Sequence, residues 1–367
     1  MILSTLAITR PAWAAIPSDI KYSTDTQKTR AAIDTSIKAE IEDLTGEDMA
    51  KRNHARDTLA GEVNAPESKP FSPQFVDAYA QALDQALLPL TDSQDVRVRL
   101  NVAIIVARVG EKVDSARLEN ITEKLLQDKS PAVLIWALKA ARVELPAVLQ
   151  VAPPANQQKF IAAIKSHADD PQLLPLVYDA LSLRYQDGKL NMPNRDKMVA
   201  TVVPEMLSLL QDRVKMYEKT VPPDPTAVVP AVLFLSNPTN WKALNGNPTL
   251  QVQIVQTLSD LIGVAAQRGL ANNAAAIELG FVINKSASGL AAIALTVAQS
   301  DPAAQQVFNA LQPLIHSVPG SPQQAQLSAG VPAILKSYTK WAAINPQPSI
   351  ESNSPTTGPA TATVPAK

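Results

Sequence analysis

The chain has no cysteine, little glycine (12 of 367 residues), few aromatics (4%) and a formal net charge of -1. Each scarcity excludes something. Without cysteine there are no disulfides, no thiol nucleophile and no thiolate metal site. With 33 basic against 34 acidic side chains, the chain lacks the electrostatic footprint of a nucleic-acid binder. Strand-rich folds draw on turn glycines and on aromatic and β-branched residues, and these are the residues in short supply. Present instead are alanine and leucine, both strong helix formers, throughout the sequence. The 30 prolines punctuate helical patterns and fill no single tract. The composition predicts an all-α protein.

Three segments repeat one pattern. Apolar or small side chains fall at Val98, Val102, Ile105, Val106 and Val109; at Val133, Ala137, Ala140 and Ala141; and at Leu173, Val177, Ala180 and Leu181. At 3.6 residues per turn each set draws one stripe along a helix, and the stripes start 35 and then 40 residues apart. Each is preceded by helix-start chemistry: Asp92-Ser93-Gln94-Asp95, Asp128-Lys129-Ser130-Pro131 and Asp169-Asp170-Pro171. Asp and Ser accept hydrogen bonds from the free N–H groups of a first turn, and proline loses nothing there. Between the stripes lie further helical patterns, Leu118, Ile121, Leu125 and Leu126, then Phe160, Ile161 and Ile164. Two helices per 35–40 residues is the period of an α-solenoid.

Val98-Arg99-Leu100-Asn101-Val102-Ala103, ending near Val109-Gly110, resembles the V-R-x-x-A-A core of a HEAT repeat. Ser130-Pro131-Ala132-Val133 with Ala137, Ala140 and Ala141 is similar, with Leu134 where the motif has arginine. Asp170-Pro171 through Leu181 keeps the stripe but lacks Val-Arg and the central alanine. The resemblance covers residues 92–185 and reaches the rest only as helical texture. It implies a HEAT-like superhelix of stacked helix pairs serving as a scaffold or binding surface, and it carries no catalytic residue across.

Elsewhere, residues 1–14 read as an export signal: apolar Ile2 to Ile8, then the small-x-small pattern Ala12-Trp13-Ala14, although Arg10 interrupts and no basic residue precedes. A first helical lobe is expected over 15–220. The four prolines of Val221 to Pro230 suggest a hinge into a second lobe over 221–345. Within these lobes, Asn194 to Lys219 is a long amphipathic helix that Pro204 kinks or ends. Residues 236–248 read as loop, and helices resume over 249–268, 272–299, 302–314 and 322–343. Residues 346–367, rich in Pro, Ser and Thr, cannot offset their ordering entropy by burial and are expected to be a disordered tail. No apolar run approaches the ~18 residues of a membrane helix; the nearest is Gly289 to Ala298, so no transmembrane segment is expected.

The inventory of chemistry is short. His54, His167 and His316 have no partner at metal-ligand spacing, and no nucleophile elbow, P-loop or dinucleotide fingerprint occurs. Ser286 and Ser288 lie among small apolar residues, as in close helix packing. Glu40, Glu42, Asp43, Glu47 and Asp48, followed by Lys51, Arg52 and Arg56, fit a solvated helix with pairs such as Glu47–Lys51 and Asp48–Arg52. Asp169-Asp170 reads as helix capping. No catalytic, cofactor-binding or metal-ligating residue is assigned.

Candidate contacts with a partner are Trp241, placed in the loop-like stretch, and the basic Arg97 and Arg108, three turns apart on one helix face. Arg99, Lys112 and Arg117 lie nearby; a solvent face of a repeat helix is the favoured explanation of these charges. Trp136 flanks the second stripe and reads as core. The leading reading is a noncatalytic helical-repeat scaffold that binds a protein or peptide partner through a groove. It would be exported, to a bacterial periplasm or the extracellular space, with no cofactor and no nucleic acid. Two other classes stay open: an enzyme or lyase built on a helical scaffold, and an envelope-associated structural protein.

Overall fold

The computed structural model describes residues 16–113, 115–183, 192–271 and 273–297, with isolated helical positions at 305, 306 and 309. The residues read as an export signal, His316, the expected tail and, apart from those three positions, the helices expected beyond 300 lie outside these residues. Among the described residues there is no strand, so the chain is all-α. The described residues form fourteen α-helices in succession: α1 Ser18–Lys21, α2 Thr26–Thr45, α3 Met49–Gly61, α4 Pro73–Leu87, α5 Val96–Gly110, α6 Glu119–Leu125, α7 Pro131–Val151, α8 Pro154–Lys165, α9 Leu174–Leu181, α10 Met192–Lys219, α11 Val229–Leu235, α12 Pro238–Ala243, α13 Pro248–Ala271 and α14 Ala276–Val297.

The starts follow the expected chemistry in part. Asp95 caps α5, accepting from the Arg97 N–H at 2.9 Å. Before α7, Asp128 accepts from the Ser130 N–H at 2.7 Å and Pro131 takes the first helical position. Before α9, Asp170 accepts from the Gln172 N–H at 2.8 Å. Of the three, only Asp95 caps its helix; α7 and α9 have no side-chain cap, α9 begins at Leu174 and not at Pro171, and Asp128 and Asp170 instead hold the turns that precede them.

All three stripes are buried, from Val98 through Val109, Val133 through Ala141 and Leu173 through Leu181. The residues between them, Leu118, Ile121, Leu125, Leu126, Phe160, Ile161 and Ile164, are buried too. Packing alternates along the chain: α3 lies on α5, α5 on α7, α7 on α9 and α9 on α11, while α2 lies on α4 and α6 on α7. α5 and α7 approach closely because Gly110 has no side chain; a Cβ there would stand 2.8 Å from Val143 Cγ2. One buried apolar cluster runs from Ile16 to Ile293.

Several details depart from the sequence reading. α10 runs unbroken through Pro204, which faces solvent, where the lost N–H and the freed carbonyl can be hydrated. Within the proline-rich stretch, Pro225–Val228 forms a 3-10 turn: Tyr217 donates to the Pro225 carbonyl, Arg213 Nη2 donates to the Asp224 carbonyl at 2.8 Å, and Ala227 and Val228 are buried. Residues 238–243, read as loop, form α12, because Asn237 caps it and Pro238 begins it. α14 meets the length and composition of a membrane-crossing helix over Ala276–Thr296. Counting uninterrupted runs missed this because Glu278 and Lys285 break the run. Some 56% of that stretch is buried inside the protein, against α13 and α11, as in a core helix.

Candidate functional site

A cleft of about 220 Å³ opens where the end of α9, the start of α10 and the α11–α12 corner meet. Leu183, Pro230, Leu233 and Phe234 supply its apolar wall; Ser182, Arg195, Asn237 and Asn240 supply its polar groups. The corner is built locally. α11 ends at Ser236, Asn237 Oδ1 accepts from the Thr239 N–H at 2.8 Å, and α12 turns away. The Asn240 amide donates to the Phe234 carbonyl at 2.8 Å, which fixes its carbonyl oxygen toward Arg195 Nη2, the donor it accepts from. Leu183, itself buried, has φ of 48°, a left-handed conformation that a branched side chain adopts only under constraint. Leu233 is 48% exposed, an unusual position for leucine on a helix otherwise largely buried. The described lining therefore sets an apolar surface beside polar side chains, of which Asn240 and Arg195 are bonded to each other.

The sequence-derived contact residues do not gather here. Trp241 lies on α12 but is 3% exposed, so its expected exposure is corrected: the loop it was placed in is a helix, and the indole faces the core. Arg97 is exposed and pairs with Asp95 at 3.1 Å, beside its own helix start. Arg108 pairs with Asp57 of α3 at 3.0 Å. Hydrogen bonds from Arg56 and from Arg108 hold the Asp57 carboxyl below its ordinary range. Arg99 is held between Asp128 at 2.6 Å and the Ser93 carbonyl at 2.7 Å, and Arg117 pairs with Asp77 at 2.8 Å. Each of these four arginines thus pairs with a carboxylate, Asp95 being shared with Arg52 and Asp57 with Arg56, and the pairing offsets part of the patch's field.

The charged run near residues 40–56 is also rearranged. The helix ends at Gly46, so Asp48 becomes the cap of α3 and accepts from the Ala50 and Lys51 N–H groups. Arg52 turns inward to Asp95, 3.3 Å away, and does not pair with Asp48. Glu40 and Asp43 are buried, and burial raises Glu40 despite the attraction of His54. The expectation of a fully solvated face is corrected, because the pattern carried no sign of the α4 and Tyr79 surface covering it. Tyr79 donates to the Leu59 carbonyl at 2.7 Å, and burial pushes its hydroxyl well above the ordinary tyrosine range. His167 reaches the Leu126 carbonyl at 2.7 Å, at the end of α6. Trp136 packs partly against the core, with Lys139 Nζ 4.1 Å from its ring.

Sequence reasoning missed a third group, three carboxyls at the α4–α6–α7 junction. Burial raises Asp84, Glu119 and, most strongly, Glu144. None of the three lines the cleft. Among the described residues no set of three or more His, Asp or Glu side chains is placed to hold a metal ion.

Comparison of the sequence with models of known protein families finds none that matches, and comparison with curated proteins finds no match.

Proposed function

We propose that this chain is a noncatalytic, HEAT-like helical-repeat scaffold that takes a peptide segment of another protein into the cleft at the α9–α11–α12 corner. The observation that carries the reading is the alternating ladder in which α3, α5, α7, α9 and α11 each pack on the next, with a buried stripe on each of three repeat units. Such a stack creates an extended surface without special residues. The cleft adds one place on that surface where apolar side chains and hydrogen-bond donors converge. An exported location, as residues 1–14 suggest, suits a chain without cysteine, which is indifferent to redox compartment.

Panning the purified protein against a random peptide library tests this. Enriched peptides should carry an aliphatic residue beside an acidic side chain or a free carboxylate. Leu233→Asp, at an exposed position, should weaken their binding by tenfold or more while leaving the melting temperature within a few degrees. Failure to enrich any Leu233-dependent peptide, or turnover of a small substrate that survives Leu233→Asp, would favour an enzyme on the same scaffold. N-terminal sequencing of the protein from its native source tests cleavage after Ala14.

A further inference from the structure

We propose that Glu144 is a proton-operated latch: uncharged, it lets the 116–126 segment close onto α7, and loss of its proton loosens that segment. Glu144 sits on α7 at 1% exposure, and neither carboxyl oxygen has a hydrogen-bond partner of normal geometry. It faces α5 at its tightest point, since a Cβ on Gly110 would lie 3.2 Å from Glu144 Oε1. On the other side is the 3-10 turn Ala116–Leu118, whose Leu118 N–H is the one nearby group that favours a charged carboxylate.

Among the described residues no cation offsets that charge. α4 presents Asp84, itself buried, whose Oδ1 accepts from the Ile121 N–H at 3.1 Å and so caps α6 from a distant element. The cap matters because Leu118, at the helix's own N-terminus, supplies no side-chain acceptor. α6 presents Glu119, and both acids oppose ionisation of Glu144. Of the bases around α7, Lys159 of α8 is bound to Glu123 at 2.6 Å, Lys165 of α8 is bound to Glu205 of α10, and Arg142 is bound to Asp179 of α9. A carboxyl so placed is stable in the core only as the neutral acid.

The sign of the coupling follows. A glutamate raised in the closed state keeps its full contribution below its ordinary value, where open and closed forms are both protonated. It loses that contribution as pH rises toward the closed-state value, because the open form ionises first. One proton per opening corresponds to a rise of about tenfold per pH unit in the opening equilibrium.

Hydrogen exchange of the full-length protein, followed by mass spectrometry from pH 5.5 to 7.5 and corrected for intrinsic exchange, reads this directly. In the wild type, opening of 116–126 should rise with pH over that interval, by up to about tenfold per pH unit from Glu144. In Glu144→Gln the rise should be smaller, with the remainder due to Asp84 and Glu119. Equal pH dependence in the two proteins overturns the proposal. So does a wild-type profile that is flat in 116–126, which settles the matter even if the variant fails to fold.

Discussion

Ala140→Asp is expected to abolish the cooperative fold, whereas Ala132→Asp, in the same helix, is expected to leave it intact. Ala140 lies fully buried in the second stripe of α7, where α5, α6, α8 and α9 all pack. An aspartate there has no room and no partner, and an unpaired buried charge is among the few single changes that cost more than about 4 kcal/mol. Ala132 is exposed in the first turn, where the free N–H groups favour a carboxylate. Its substitution should stay within about 0.5 kcal/mol of wild type. Thermal unfolding followed by circular dichroism distinguishes the two. A folded Ala140→Asp with an unchanged midpoint would mean that the stripe does not face the core.

The second large effect concerns Gly289 on α14. Alanine is the better helix former by ~1 kcal/mol, so replacing an interior glycine would ordinarily stabilise. Here the new Cβ would stand 2.4 Å from Ser236 Oγ and 2.5 Å from Ser236 Cβ. Ser236 cannot swing aside freely, because it is buried at the end of α11 with its hydroxyl bonded to the Val232 carbonyl at 2.7 Å. Overpacking of this kind costs about 1–3 kcal/mol. Net of the helix gain, about 0–2 kcal/mol of destabilisation remains, so Gly289→Ala should lower the melting temperature by up to a few degrees, at roughly 2 °C per kcal/mol for a chain of 367 residues. In a Ser236→Gly background the same change should become neutral or stabilising. A midpoint that rises on Gly289→Ala alone would show that α11 and α14 are not in contact at Ser236.

These two sites mark the boundary of what was legible in the sequence. Stripes depend on neighbours three and four residues away, so those of Val98, Val133 and Leu173 could be read from spacing alone, as could the Asp95 cap of α5. Contacts between distant segments leave no such trace. Gly289 looks like a helix defect until Ser236 is set beside it, and Glu144 looks like an ordinary surface acid until Gly110 and Leu118 close over it. Trp241 failed for a local reason: Asn and Pro were taken as loop formers, but Asn237-Pro238 is also a helix start. Neighbouring acids at 40–48 failed for a tertiary one, since charge order along a helix does not reveal which face a later helix will cover. The cleft follows the same rule. It is assembled from residues 182 to 240, across four helices, and no motif within any one of them announces it.

The stacking of α5 on α7, on which the proposed repeat architecture rests, is tested most directly by a cross-link between the two helices. A Cβ on Gly110 of α5 would lie 4.0 Å from Val143 Cβ of α7, within the usual disulfide range of about 3.5–4.5 Å. The native chain has no cysteine, so Gly110→Cys/Val143→Cys holds a single pair of thiols. Val143→Cys also removes the methyl that the new side chain would strike. Under mild oxidation this variant should form one intramolecular disulfide and remain monomeric on a non-reducing gel. Two free thiols, or cross-linking only between molecules, would contradict the stacking of α5 on α7 and the repeat architecture built on it.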